Sequence, residues 1–162
     1  MEQQSLLTDI EISLVHATTG QRFANHLVDL VVYDLVRLFI INPLVTSGNA
    51  IMYSAFSNPE AIMLINQLFF FVFYMSFIFL QEAILKGKSI GKFVTGTRAV
   101  NMDGSFISTK TALLRSLSRI VPFEPLSALG SPPRPWHDRW TNTYVIDEKK
   151  SVLNPEQRVQ IS

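Results

Sequence analysis

One stretch of this sequence leaves little choice of structure. Ala61 to Leu80 is a run of 20 residues that contains no charged side chain and is rich in phenylalanine, leucine and isoleucine. A helix of that length rises about 30 Å, which is the thickness of a bilayer's hydrocarbon core. A helix is suited to that environment because its backbone groups bond to one another. We therefore predict a transmembrane helix over about residues 60–81.

A second long apolar stretch, Gln21 to Asn42, differs from the first in carrying charges. It predicts another transmembrane helix over about residues 22–42, ended at Asn42 because a proline follows and disfavours helical geometry there. Residues 44–59 are then expected to form a loop. Ionisable groups within a membrane helix usually face a bundle interior or a cavity and are paired. Those in this stretch are Arg22, His26, Asp29, Asp34 and Arg37.

The distribution of lysine and arginine predicts the orientation in the membrane. Only Arg22 and Arg37 precede Lys86, so 12 of the 14 basic residues lie later and the loop between the two predicted helices contains none. The positive-inside rule then places both termini in the cytoplasm. We divide the chain into an N-terminal cytoplasmic arm (1–20), a membrane domain (21–146) and a polar cytoplasmic tail (147–162).

The C-terminal half predicts short elements rather than a further crossing. Residues 97–107 have the pattern of a hairpin with its turn at 101–104, and residues 141–146 resemble a strand. Residues 110–121 predict an amphipathic cytoplasmic helix capped by Ser108 or Thr109. The fold class is therefore an all-α membrane protein with two transmembrane helices, an amphipathic helix and short β segments. Five basic side chains are expected to contact lipid headgroups: Lys86, Lys88, Lys92, Arg115 and Arg119.

Several functional classes are disfavoured by the sequence. The segment 86–97 resembles a phosphate-binding loop, but Glu82 stands where such a loop needs its first glycine. There is no cysteine, and the three histidines are not spaced as a metal site. A net charge of +1 suggests no nucleic-acid partner. We therefore expect no enzyme activity, no cofactor and no metal.

Several segments together resemble the RDD family of small bacterial membrane proteins. The opening signature is Arg22-Phe-Ala-Asn-His-Leu-Val-Asp29, and the later matches are residues 88–100, 101–104, 115–117 and 136–138. The resemblance implies a bacterial inner-membrane protein in which Arg22 and Asp29 open the first helix and Asp138 is the second aspartate. Relatives usually show a longer third apolar span, whereas prolines interrupt this chain after residue 121. We therefore expect two crossings.

Two hypotheses follow for the charged residues. In the first, Arg22, Asp29 and Asp138 form a structural latch, with Asp138 folded back beside Arg22, in a non-catalytic accessory or assembly subunit. In the second, which is the leading hypothesis for function, Asp29 binds a cation or proton, His26 relays the proton, Arg22 is a counter-charge and Asp138 is a further candidate for ion binding or proton relay. The resemblance supports this hypothesis because some RDD relatives look like cation/proton antiporters. Two helices cannot enclose a pathway, so transport requires a homo-oligomer or other membrane subunits within the bilayer.

Overall fold

The computed structural model describes residues 13–55, 58–119, 121, 127 and 135–153. The arm before Ser13, most of the segment after Arg119 and the tail after Leu153 lie outside the described residues. The elements, in chain order, are helix α1 (Thr19–Val36), a π-helical turn (Arg37–Ile41), α2 (Asn42–Ala55), α3 (Pro59–Ile84), α4 (Ile90–Thr95), strand β1 (Thr97–Asn101), α5 (Thr109–Ser118), α6 (Trp136–Trp140) and β2 (Thr143–Asp147).

Helix α3 contains the predicted transmembrane stretch. The Asn58 side chain accepts hydrogen bonds from the amides of Glu60 and Ala61, and Pro59 occupies the first turn, where its missing N–H costs nothing. The helix has 26 residues, and an 18-residue window within it has a mean hydropathy of 2.0. Among the described helices, α3 is the one that is long and apolar enough to cross a membrane.

The first helix does not end where the sequence predicted. Thr18 caps α1 and exchanges hydrogen bonds with Gln21, and the helix then passes through the π-turn into α2 without a loop. The expected end at Asn42 and the expected loop over 44–59 are therefore wrong. In the π-turn, the amide of Asn42 bonds to the carbonyl of Arg37, five residues back. This wider turn makes room for the ring of Pro43, so the helix continues past the proline.

The two strands pair with each other across a long loop. β1 and β2 are antiparallel, with Thr97 opposite Asp147 and Asn101 opposite Thr143. The predicted hairpin within 97–107 is wrong as the main pairing, because Phe106 contributes only an isolated bridge to Val100. The predicted turn over 101–104 is present, and Gly104 supplies its positive φ of 74°.

A small core forms around the sheet. The amide of Ala17 bonds to the carbonyl of Val145, and the amide of Asp147 bonds to the carbonyl of Val15, so the chain before α1 lies along β2. Residues 151–153 return to this region, where Ser13 and Val152 bond to each other through their backbones. The buried apolar side chains are Ala17, Ala99, Val100, Ile107, Ala112, Val145, Ile146 and Leu153.

The two strands and the chain segments that pack on them (residues 13–17, 97–107 and 143–153) are called the sheet module below. Helices α4 and α5 hold this module against the two long helices. Helix α4 packs on α1, and α5 packs on α3. Gly91 in α4 lies so close to the backbone carbonyl of Asn25 in α1 that a Cβ atom would have no room. Tyr33 joins α1 to α3: its ring contacts Phe73, Tyr74 and Phe77, and its hydroxyl donates to the carbonyl of Phe70 at 3.1 Å.

Candidate functional site: a buried charge network and its cavity

Arg115 has the largest fully buried side chain among the described residues. Its Nε donates to Glu82 Oε2 at 2.9 Å, and its Nη1 donates to Asp138 Oδ1 at 2.6 Å. The side chains of Arg115 and Asp138 are fully buried, and that of Glu82 is 2% exposed. Arg115 therefore bridges two carboxylates from different helices, Glu82 near the end of α3 and Asp138 in α6.

Three further cations complete this charge network. Glu82 Oε1 accepts from Lys92 Nζ at 2.6 Å and from Arg119 Nη2 at 3.0 Å. Asp138 Oδ2 accepts from Arg22 Nη1 at 2.7 Å. The network thus joins α1, α3, α4, α5 and α6, together with the residue that follows α5. We refer below to Arg22, Glu82, Lys92, Arg115, Arg119 and Asp138 as the charge network.

The protonation equilibria reflect burial and pairing together. Burial by itself raises the pKa of Asp138, but Arg115, His137 and Arg22 outweigh that effect and hold the pKa well below its usual range. Burial opposes the charged form of Arg115, yet its two carboxylate partners raise its pKa above the usual value. Burial lowers the pKa of Lys92 to about 8, against the attraction of Glu82. Asp138 and Arg115 therefore stay charged at neutral pH.

Asp29 occupies a separate polar site about two helix turns from Arg22. Its carboxylate accepts from the Ser89 hydroxyl at 2.6 Å and from the Gly91 amide at 2.7 Å. Ser89 is also the N-cap of α4, so this carboxylate fixes the start of that helix on α1. Nearby, the Asn25 side chain contacts the hydroxyls of Thr95 and Thr97. These contacts hold the segment between α3 and β1 against α1.

The predicted site residues fall into two groups. Arg22 and Asp138 are in direct contact, as the latch hypothesis expected. Asp29 bonds to Ser89 and Gly91 instead of joining them. His26 is exposed and lines the cavity described below.

The five basic residues expected at lipid headgroups are placed differently. Lys92 and Arg115 are buried in the charge network, so neither lies on an open face of the protein. Arg119 is 17% exposed and also pairs with Glu82. Lys88 pairs with Glu148 at 2.5 Å, and the exposed Lys86 lies over the ring of Phe106. The cause of this placement is Glu82, which offers three of these cations a buried counter-charge.

Local sequence patterns do not single out Glu82 as a member of the candidate site. Glu82 stands at the end of the apolar helix, where an acidic residue normally faces water. It follows Ile78 by four positions, so the two residues lie on one face of α3, and in the structure both are buried. The positions of Lys92, Arg115 and Arg119 around it depend on tertiary structure that no local pattern encodes.

A cavity of about 640 Å³ opens beside the charge network. Arg22, Lys92 and Arg119 line it with their cationic side chains, and Asp29 is the acidic residue in its wall. Its other lining residues are Thr19, Gly20, Phe23, Asn25, His26, Tyr74, Pro135, His137 and Val145. Within the described ranges, no group of three or more His, Asp or Glu residues is arranged to hold a metal ion.

A comparison with family models gives a match to the RDD family over residues 16–146. The chain belongs to the RDD family. The matched region includes α1, α3 and every member of the charge network. RDD proteins are a membrane family, and together with the apolar helix α3 this makes the chain a membrane protein. No curated protein and no solved structure gives a significant match.

In this RDD protein, the first arginine and the last aspartate of the family resemblance are one buried ion pair. Arg22 lies in the first turns of α1, and Asp138 lies in α6, beyond the sheet's first strand and α5. The middle aspartate, Asp29, supports the start of α4 instead. The three residues of the resemblance thus attach two different pieces of the C-terminal half to the same helix.

Proposed function

We propose that this RDD protein is a non-catalytic accessory or assembly subunit of a larger membrane complex. The observation that carries the proposal is the Arg115 bridge, in which one buried guanidinium holds Glu82 of α3 and Asp138 of α6. Such a bridge suits a fixed joint between a membrane helix and a module at the membrane border. Breaking a buried pair leaves an uncompensated charge and costs about 3–5 kcal/mol.

The electrostatics of the cavity favour this role over cation transport. Three cationic side chains line the cavity against one carboxylate, so the wall repels a cation. Arginine cannot release a proton under physiological conditions, and Asp138 stays ionised because its pKa is lowered. The charge network therefore offers no group that exchanges protons near neutral pH, except Lys92 with its pKa of about 8.

The surface of α3 supports a role in assembly. One side of this helix packs on α1 through Tyr33 and on α5, whereas its remaining apolar side chains are exposed. Those exposed side chains include Met63, Leu64, Ile65, Leu68, Phe69, Phe71 and Val72. A bilayer covers such a surface, and so does a helix of another subunit. The proposed partners are therefore lipid and further membrane subunits, or copies of this chain.

We propose further that α1 and α2 form the second crossing of a bacterial inner membrane. Leu38 to Ala55 contains no charged residue, and the exposed Asp34 and Arg37 pair with each other at 3.1 Å. That pairing lowers the cost of placing them near a membrane. With two crossings, the distribution of lysine and arginine favours cytoplasmic positions for both termini.

The test combines a measurement of the mass of the extracted complex with a measurement of cation-driven proton flux. Native mass spectrometry of the protein extracted from its own membranes in mild detergent is expected to show a mass that includes other subunits. Proteoliposomes that contain only this chain are expected to show no cation-driven proton flux. A homo-oligomer that carries such a flux by itself would contradict the proposal.

Transport through Asp29 is the second candidate function. Its support is that the Asp29 carboxylate and the His26 ring line the same cavity. Asp29 would carry the cation or proton, with His26 as the relay and Arg22 as the counter-charge. In the same proteoliposomes, this candidate predicts a wild-type flux that Asp29→Asn abolishes while the melting temperature stays within a few degrees of the wild type.

A further inference from the structure

The cavity beside the charge network has the chemistry of an anion site. The six residues of the network carry four positive and two negative charges, and Asp29 adds one more carboxylate, so one positive charge remains in excess. Both oxygens of Asp29 are engaged by Ser89 and Gly91. The carboxylates of Glu82 and Asp138 are likewise engaged by the network cations. The open side of the cavity is therefore dominated by donors.

Two of the cationic side chains that line the cavity have an N–H group without an acceptor among the described residues. The Nε atoms of Arg22 and Arg119 are buried and have no hydrogen-bond partner among the described residues. The Arg22 side chain is 8% exposed, and Arg22 is one of the residues that line the cavity. A buried N–H without a partner is unfavourable, so an acceptor near such an atom stabilises the protein. An oxyanion in the cavity supplies that acceptor.

The N-terminus of α1 adds to the positive potential in the cavity. Thr19 and Gly20, in the first turn of this 18-residue helix, line the cavity. The first amides of a helix carry a partial positive charge and have no partner within the helix. Arginine forks and helix starts are the groups that proteins use to hold phosphate.

The depth of the cavity indicates where the anion comes from. Helix α3 has 26 residues and rises about 39 Å, more than the roughly 30 Å of a hydrocarbon core. Glu82 near its end therefore lies at headgroup level, and Lys92 and Arg119 surround it there. Tyr74 lines the cavity about 12 Å further into the helix. The cavity thus has a cationic end at the headgroups and an apolar wall toward the acyl chains.

We propose that this cavity binds a phosphate group, supplied by an acidic phospholipid whose first acyl carbons lie along Phe23 and Tyr74. Basic pockets between membrane helices recognise anionic headgroups in this way. The phosphate oxygens accept from the Nε atoms of Arg22 and Arg119, while the network carboxylates keep their existing partners. The site needs no other subunit, so this proposal is independent of the proposed accessory role.

The test measures lipid binding to the detergent-purified chain by native mass spectrometry. Phosphatidylglycerol is compared with phosphatidylcholine of the same acyl chains. Two variants remove a spare donor: Arg119→Gln, and Arg22→Lys, which keeps a cation beside Asp138. Arg139→Gln is the matched control, because Arg139 is exposed on α6 and does not line the cavity. A second arm measures the melting temperature in inorganic phosphate against chloride at equal ionic strength.

The expected result is tighter binding of phosphatidylglycerol by about tenfold or more, reduced about tenfold in Arg119→Gln and Arg22→Lys and unchanged in Arg139→Gln. Stabilisation by inorganic phosphate without lipid selectivity, lost in the same two variants, also supports the phosphate site and identifies a soluble source. Equal binding of both lipids with no effect of phosphate overturns the proposal. Equal losses in all three variants overturn it as well, since they indicate attraction to the surface charge alone.

Discussion

Arg22 and Asp138, 116 residues apart in the chain, form a buried ion pair of 2.7 Å. The pair connects the start of the first long helix to the short helix α6, which directly precedes β2 along the chain. Arg115 donates to the other oxygen of the same aspartate and also to Glu82 of the apolar helix, so the contacts continue from α6 to α3. The predictions below test how these attachments hold the two halves of the molecule together.

The first prediction concerns the contact between α4 and α1. We expect Gly91→Ala to destabilise the protein by about 2 kcal/mol or more, because a Cβ atom there clashes with the Asn25 carbonyl. The clash also displaces the Gly91 amide from Asp29. Thermal unfolding in detergent measures the effect.

Gly48→Ala is the matched control for this substitution. Gly48 lies inside helix α2, and no described atom lies within 4 Å of a Cβ built there. Alanine favours a helix over glycine by about 1 kcal/mol, so this variant is expected to be neutral or more stable. A Gly91→Ala protein as stable as Gly48→Ala would contradict the close packing of α4 on α1.

The second prediction concerns pH. The pKa of Asp138 is lowered in the folded protein, so the unfolded chain takes up a proton first as the solution is acidified. The resulting stabilisation is complete above the unfolded pKa of about 3.9 and is lost as the pH falls toward the lower folded value. We expect the melting temperature of the wild type to fall steeply below about pH 4. The melting temperature of Asp138→Asn is expected to be lower than that of the wild type at neutral pH and to fall less steeply on acidification.

The control for the pH series is Asp34→Asn. Asp34 pairs with Arg37 in the open, with a side chain that is 52% exposed, so its contribution is expected to be below about 1 kcal/mol. Its acid profile is expected to follow the wild type. Parallel acid profiles for the wild type and Asp138→Asn would mean that Asp138 is not held ionised by its partners.

The third prediction concerns the contact between the two long helices. Tyr33→Phe removes the hydrogen bond to the Phe70 carbonyl but keeps the ring contacts, and is expected to cost about 0.5–1.5 kcal/mol. Tyr33→Ala also removes the ring and is expected to cost about 3–5 kcal/mol. Tyr53→Phe, at a 55% exposed position in α2, is the control and is expected to change nothing measurable. Equal stability of Tyr33→Ala and the wild type would contradict this packing.

Some features of the fold were predictable from the local sequence. The uncharged run in α3 predicted that helix, and Ser108 predicted the start of α5. The contact of Arg22 with Asp138 followed from the family resemblance, which brought together residues too far apart for any periodic pattern. Family membership was predicted in the same way and is confirmed by the match over residues 16–146.

Other features depend on tertiary contacts that a local pattern does not contain. Asp103-Gly104 is a strong turn signal, yet the partner of β1 is β2, about 40 residues further on. Pro43 is a strong helix-breaking signal, but a π-turn before it accommodates its ring. On α5, the charged Arg115 is fully buried, whereas the apolar Leu113 and Leu117 are exposed. A buried carboxylate on another helix decides that orientation.

The most direct measurement is a double-mutant cycle between Glu82 and Arg115. Unfolding free energies are compared for the wild type, Glu82→Gln, Arg115→Met and the double variant in one detergent. Each single variant leaves buried charges uncompensated, so we expect losses of about 3–5 kcal/mol for each one and a loss in the double variant that is smaller than their sum. Additive losses, or single losses below about 1 kcal/mol, would contradict the claim that the Arg115 bridge joins the membrane helix to the sheet module.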